Sequence, residues 1–448
     1  MTELLIKQYL RSKGLMMGLL LLFFTGLLSL HVGKVFLKRQ QSILVQTAHS
    51  QEEHIDRYLE YVDGHIGLFL YYIRFGFANE SIPLSGLSLG HRDISPVAQL
   101  VNIRNLEEQK NTSELINPFY QLLGNMDFSF VLIYLFPLII IALSFNLLSE
   151  EKESGKWSLL YSQSSRPLDL IRSKFLIRIG SIFIVLLLLL LAAWFYLKIP
   201  LNQAFFALSI ISMLYILFWF TLCWLVTSWD KSSNQNALIL LSIWIMLTTI
   251  IPAIVNNAVT YFYPIPEVYE TTIDSRDGYH NKWDEPKEPT IAMFKKHYPQ
   301  FAEYNHPEDK NFSWLWYYAM QQMGDDEAAN ARKKMKEKHR QRNTFTNWIG
   351  LFVPTIHMQF SMNTFCKTDM RNYLLYIDAL EQFHEEKRLS FYPKIFNELP
   401  IKNEKWDAYK LEYFQDDRAI EWIPLLPMII ICFSLLLLAR WRLSCPLL

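Results

Sequence analysis

No sign of charge predominates in this chain. Its 43 lysines and arginines offset 43 aspartates and glutamates, so no overall basic field gathers phosphates and nothing favours a nucleic-acid partner. Cysteine is scarce: Cys223, Cys366, Cys432 and Cys445 are scattered through 448 residues. They give neither a disulfide framework nor a zinc spacing. Cys445-Pro-Leu-Leu has the outline of a prenylation box, but Pro446 is unusual there and a chain with many spans needs no lipid anchor. No Gly-x-x-x-x-Gly-Lys-Ser/Thr loop, His-Glu-x-x-His or Gly-x-Ser-x-Gly occurs, so the sequence shows no enzyme, nucleotide-hydrolysing, zinc-protease or serine-hydrolase signature. Glu150-Glu151 is the kind of acidic pair some intramembrane proteases use beside an arginine, but Ser154 stands where that arginine belongs. The histidines show no ligand spacing, and no metal or other cofactor is expected on this chain.

What the chain does have is apolar residues in blocks, 51% of the total. Blocks rather than periodic stripes predict an all-α polytopic membrane protein. Residues 1–36 comprise a short interfacial helix and a first span from Leu15 to Phe36, long enough at ~20 residues to cross. The competing reading, a signal peptide, lacks a small-x-small cleavage site. Lys38 and Arg39 on the far flank of this span run against its orientation. Residues 37–127 form a first extracytoplasmic insertion, with Ile55, Leu59, Val62, Ile66, Phe69 and Ile73 at helical spacing as an amphipathic continuation of the span. Residues 128–262 hold spans two to five: Phe128–Leu148 with a proline kink at Pro137, Leu176–Leu197, Phe205–Trp229 and Ala237–Phe262.

Residues 263–423 form a second insertion, irregular around Pro264, Pro266, Pro286 and Pro289. Helices are expected at Ile291–Tyr298, Asn311–Trp348 and Asp369–Leu389. Both insertions present apolar helical faces that need covering, so they are expected to pack into one mostly helical domain. Residues 424–448 give the sixth span and a tail carrying Arg440 and Arg442. The basic short loops place both termini in the cytoplasm and the insertions outside.

Three features are weighed against structural explanations. The run Arg332, Lys333, Lys334, Lys336, Lys338, Arg340 and Arg342 follows Asp325, Asp326 and Glu327, as in a dipole-matched solvated helix, with lipid headgroups or an acidic partner as the alternative. Trp314, Trp316, Tyr317 and Tyr318 read as core or interface rather than ligand cluster. Asn256 and Asn257, near the outer end of the fifth span, either line a path or mark the helix's exit from lipid.

The segment from Asn146 to Arg178 is charged and lies between two spans. Glu150, Glu151 and Glu153 precede a helix-breaking Gly155, and Lys152, Lys156, Arg166, Arg172, Lys174 and Arg178 make it net basic. With Asn117-Pro118-Phe119, the stretch Gly124 to Phe130, Pro137, Asn146, Glu151-Lys-Glu153-Ser-Gly155, Ser165-Arg166-Pro167 and Lys174, the chain resembles the permease subunits of type-2 ABC transporters, in the subgroup with large extracytoplasmic insertions. In that family an acidic pair, a Gly-Thr-Leu and a Ser-Arg dock on the ATPase; here Lys156-Trp157 follows the glycine. The resemblance implies an exporter half in a bacterial cytoplasmic membrane, completed by a second, same or homologous, permease subunit. It also implies two copies of an ABC ATPase subunit, which hold the ATP and magnesium. It places Glu150, Glu151, Glu153, Gly155, Arg166 and Lys174 at the ATPase contact. The alternative is a membrane scaffold or mechanotransmission protein that uses a partner ATPase to move its outer domain without carrying a solute; an extracytoplasmic protein is a further candidate partner of that domain.

Overall fold

A computed structural model describes residues 2–110, 125–157, 162, 168–307 and 311–444. Helix α1 (Thr2–Arg11) precedes α2 (Lys13–Tyr61), whose 49 residues run unbroken, about 70 Å at helical rise and more than twice a bilayer core. The first inserted segment adds α3 (Ile66–Tyr72), strands β1 (Phe75–Ala78) and β2 (Ala98–Val101), and α4 (Leu106–Lys110). Then come α5 (Phe128–Glu153), α6 (Leu168–Leu197), α7 (Gln203–Thr227) and α8 (Ser233–Phe262). The second segment supplies α9 (Glu267–His280), α10 (Lys287–His297), α11 (Trp314–Gly350), α12 (Pro354–Phe365), α13 (Met370–Phe396) and β3 (Glu412–Tyr413), and α14 (Leu425–Ser444) follows. Six helices, α2, α5 to α8 and α14, are long and apolar enough to cross a membrane.

The six pack around α7, which is apolar on every side and therefore central. Tyr215, Trp219, Phe220 and Cys223 on it are fully buried. Two prolines shape the bundle. Pro137 follows a π-helical turn at Val131–Leu135, and Pro252 follows another at Met246–Ile250. A proline cannot donate to the ladder and its ring pushes off the carbonyl one turn back. The Ile133 carbonyl freed by Pro137 accepts the Tyr215 hydroxyl of α7 at 3.0 Å. Near Pro252 the Leu247 carbonyl accepts the Thr355 hydroxyl at 2.5 Å.

That second bond comes from the inserted segment. From Arg342, whose Nε donates to the Tyr263 carbonyl at 2.7 Å, α11 descends along α8, and Val353 and Ile356 pack on Val255 and Val259. Then α12 turns back, sending Met358, Met362, Phe365 and Cys366 into the same apolar core as the spans. Cys366, read from sequence as an outside residue, thus belongs to the bundle. The sequence shows no boundary there because α12 is too short to register as a span.

The two inserted segments share one aromatic core. Phe69 meets Trp406, Phe75 meets Phe391 and Phe77 meets Tyr376 at centroid distances of 4.4, 5.5 and 5.7 Å. The small sheet joins them too: β1 pairs antiparallel with β2 (Phe75 opposite Val101) and parallel with β3 (Phe77 opposite Glu412). A buried ion pair then clasps the α4 loop. Arg388 pairs with Asp325 at 2.7 Å and donates to the Ile103 and Arg104 carbonyls, while Asp325 accepts the Leu106 and Glu107 backbone N–H groups. Burial pushes the Asp325 carboxyl above its ordinary range, and the Arg388 charge and backbone donors act against that push.

Several expectations are corrected. The stretch around Pro264 and Pro266 leads directly into the 14-residue helix α9, since a proline next to the first helical turn costs no ladder bond. The amphipathic run Ile55–Ile73 is two helices, parted at Gly64 with φ +115°. Helix α13 passes Leu389 and ends at Phe396 despite Pro393. The basic run is a solvated face only in part: Lys333, Lys334 and Arg340 are exposed, while Arg332 pairs with Glu107, Lys336 with Asp378 and Glu381, and Lys338 with Glu267. The expectation for the aromatic cluster holds: Trp316, Tyr317 and Tyr318 lie in the aromatic core, with Trp314 packed against it.

Arg388→Ala leaves Asp325 buried without its counter-charge and is expected to cost about 3–5 kcal/mol, read as a lower melting temperature of the purified protein. Tyr215→Phe removes the cover of one carbonyl and is expected to cost about 1 kcal/mol in the same assay.

Candidate coupling interface

The charged segment after the second long apolar run closes one end of the bundle. Near its end α5 tightens at one point, where the Leu147 N–H donates to the Ser144 carbonyl, and Gly155, at φ +73°, takes the left-handed conformation that ends the helix. The Glu153–Lys156 tip is exposed. Behind it, three successive side chains reach three different places. Glu151 pairs with Lys174 on α6. Lys152 pairs with Asp230, in the α7–α8 turn, at 2.6 Å. Glu153 accepts from the Ser233 backbone N–H at 2.7 Å and its hydroxyl at 2.8 Å.

Ser233 begins α8, so Glu153 places a carboxylate on the positive end of that helix, beside the Ser232–Gln235 capping box. The Ser149 and Ser233 hydroxyls also meet at 2.8 Å. Glu150 bonds the Asn146 amide at 2.7 Å, and Arg178 of α6 donates to the Leu143 carbonyl of α5. Tyr9 of α1 meets Ser181 of α6 at 2.7 Å, bringing the N-terminal helix to the same end. A displacement of residues 149–156 therefore pulls on α5, α6 and α8 together.

The sequence reading named Glu150, Glu151, Glu153, Gly155 and Lys174, and these fall within one short stretch and its α6 partner. Arg166 lies outside the described residues. Sequence reasoning missed Asp230 and Ser233, because a short turn and the helix start beyond it carry no signal of which distant side chain they receive. Asn256 and Asn257 lie away from this end, on the exposed face of α8, with no side-chain hydrogen bond to a described residue.

A family described as a domain of unknown function (DUF3526) matches residues 269–412, which run from α9 to β3. No curated protein and no solved structure matches the chain.

If the Glu151–Lys174 pair holds α5 to α6, reversing either charge alone is expected to lower the melting temperature, and Glu151→Lys with Lys174→Glu to restore most of it. The measurement is a thermal melt of the four proteins in one detergent.

Proposed function

We propose that this chain is the membrane-spanning permease subunit of an ATP-driven transporter of the type-2 ABC kind. It works with separate ATPase subunits and a second permease copy. One observation carries the reading: an exposed, charged tip whose neighbouring side chains grip the ends of three apolar helices. A soluble motor needs such a handle, since force applied to one loop must reach several spans at once. In this reading Glu153, Gly155 and Lys156 face the ATPase, while Glu151 and Lys174 hold the handle to the bundle. The handle is cytoplasmic, the domain built from both inserted segments lies on the opposite side of a bacterial cytoplasmic membrane, and the direction is export.

A second reading, force transmission without a solute, is favoured by α2 and α12. The first is an uninterrupted rod from the bundle into the inserted domain; the second seats part of that domain among the spans. Motion of the spans would move the domain.

Both readings are tested with the chain and its ATPase co-purified from the native host and placed in vesicles. Charge reversal at Lys156 and Glu153 is expected to lower ATP turnover at least tenfold, a loss of about 1.4 kcal/mol or more in coupling. Unchanged turnover and unchanged assembly sink the proposal. ATP turnover with domain movement and no solute flux selects the mechanical form.

A further inference from the structure

At the end of the bundle remote from the charged handle, the first and third long helices meet in a rim of cations. His31, Lys34, Lys38 and Arg39 follow one another on α2, and Lys198 ends α6 with φ +55°. Two contacts fix this meeting. The Gly33 backbone of α2 lies so close to the Gly86 carbonyl that a Cβ there would sit 1.9 Å from the oxygen, and Leu197 of α6 packs on the same Gly86.

Tyr196 of α6 organises the rim. Lys34 donates to its carbonyl at 3.1 Å and lies 3.7 Å above its ring, and His31 Nδ1 meets its hydroxyl at 3.0 Å. Lys34 keeps two further N–H groups beyond that bond. Among the described residues, no carboxylate lies within 4.0 Å of Lys34, Lys38, Arg39 or Lys198. Lys34 and Lys38 are one turn apart, a spacing at which like charges repel, and they sit midway along α2, where it leaves the apolar bundle. Uncompensated cations held in this way suit an anion from outside the chain. Next to them both helices expose apolar side chains, Leu28 and Val35 on α2 and Leu191 and Phe195 on α6.

We propose that this rim binds the phosphate of an anionic membrane lipid. Lys34 and Lys38 carry the charge recognition, His31 and Lys198 flank it, and the acyl chains lie along the exposed apolar stripes. The ligand chemistry is a phosphate anion; the apolar stripes select a lipid headgroup over the free ion. The inference rests on the six helices lying in a bilayer and is independent of the ATPase reading.

The test uses the full-length protein in a neutral detergent, titrated with short-chain phosphatidylglycerol, with phosphatidylcholine or with inorganic phosphate, and followed by native mass spectrometry and thermal melting. Phosphatidylglycerol is expected to stay bound and raise the melting temperature where phosphatidylcholine does not. K34Q/K38Q is expected to weaken that binding about thirtyfold, each lysine near an anionic surface contributing roughly a factor of five, a loss read relative to the variant's own melting in phosphatidylcholine, which falls slightly with the Lys34–Tyr196 contacts. Should that variant fail to fold, K38Q/R39Q, on exposed side chains, is expected to weaken binding in the same direction. Equal binding of the two lipids, undiminished phosphatidylglycerol binding in a folded variant, or full reproduction of the effect by inorganic phosphate overturns the lipid site.

Discussion

A carbonyl released from its helical partner inside hydrocarbon has no water to turn to, and the architecture of this bundle follows from that constraint. Pro137 and Pro252 each interrupt a long apolar helix, and each interruption coincides with a π-helical turn. Tyr215 answers the first from the neighbouring helix, which accounts for a fully buried hydroxyl in the most apolar part of the molecule. Thr355 answers near the second from a helix that is not a span. The hydrogen-bond need of α8 therefore helps anchor the inserted segment in the bundle, where hydrophobicity alone would leave that segment's depth undetermined.

From that anchoring the two halves of the molecule become mechanically continuous. Helix α2 leaves the bundle without a break, α11 comes down to it and α12 returns. Above the bundle the aromatic core and the Asp325–Arg388 clasp join segments more than 200 residues apart in sequence. At the opposite end, Glu151, Lys152 and Glu153 join three helix ends through side chains one residue apart. The chain has charge at both extremities of the bundle and an apolar middle, so force entering at one end meets rigid, packed helices before it reaches the other.

The apolar blocks made the six long helices readable, because composition over about 20 residues is a robust signal. Gly155 and the acids before it were equally plain, being local chemistry. What escaped were features set by distant partners. The basic run from Arg332 to Arg342 resembles any solvated helix until Glu107, Asp378, Glu381 and Glu267 arrive from elsewhere. Likewise, strands of four, four and two residues are too short to show alternation, and they exist because the two inserted segments lie side by side. Asp230 and Ser233 had no local signal at all.

The shared aromatic core has a consequence for biosynthesis. Ile55, Phe69, Phe75 and Phe77 leave the ribosome about 300 residues ahead of Tyr376, Phe391 and Trp406, which will cover them, a delay of roughly 15–60 s at ordinary elongation rates. During that interval the first segment is an apolar surface with no mate. The nascent chain thus passes through a period of vulnerability to proteases and to self-association that ends only when translation reaches Trp406.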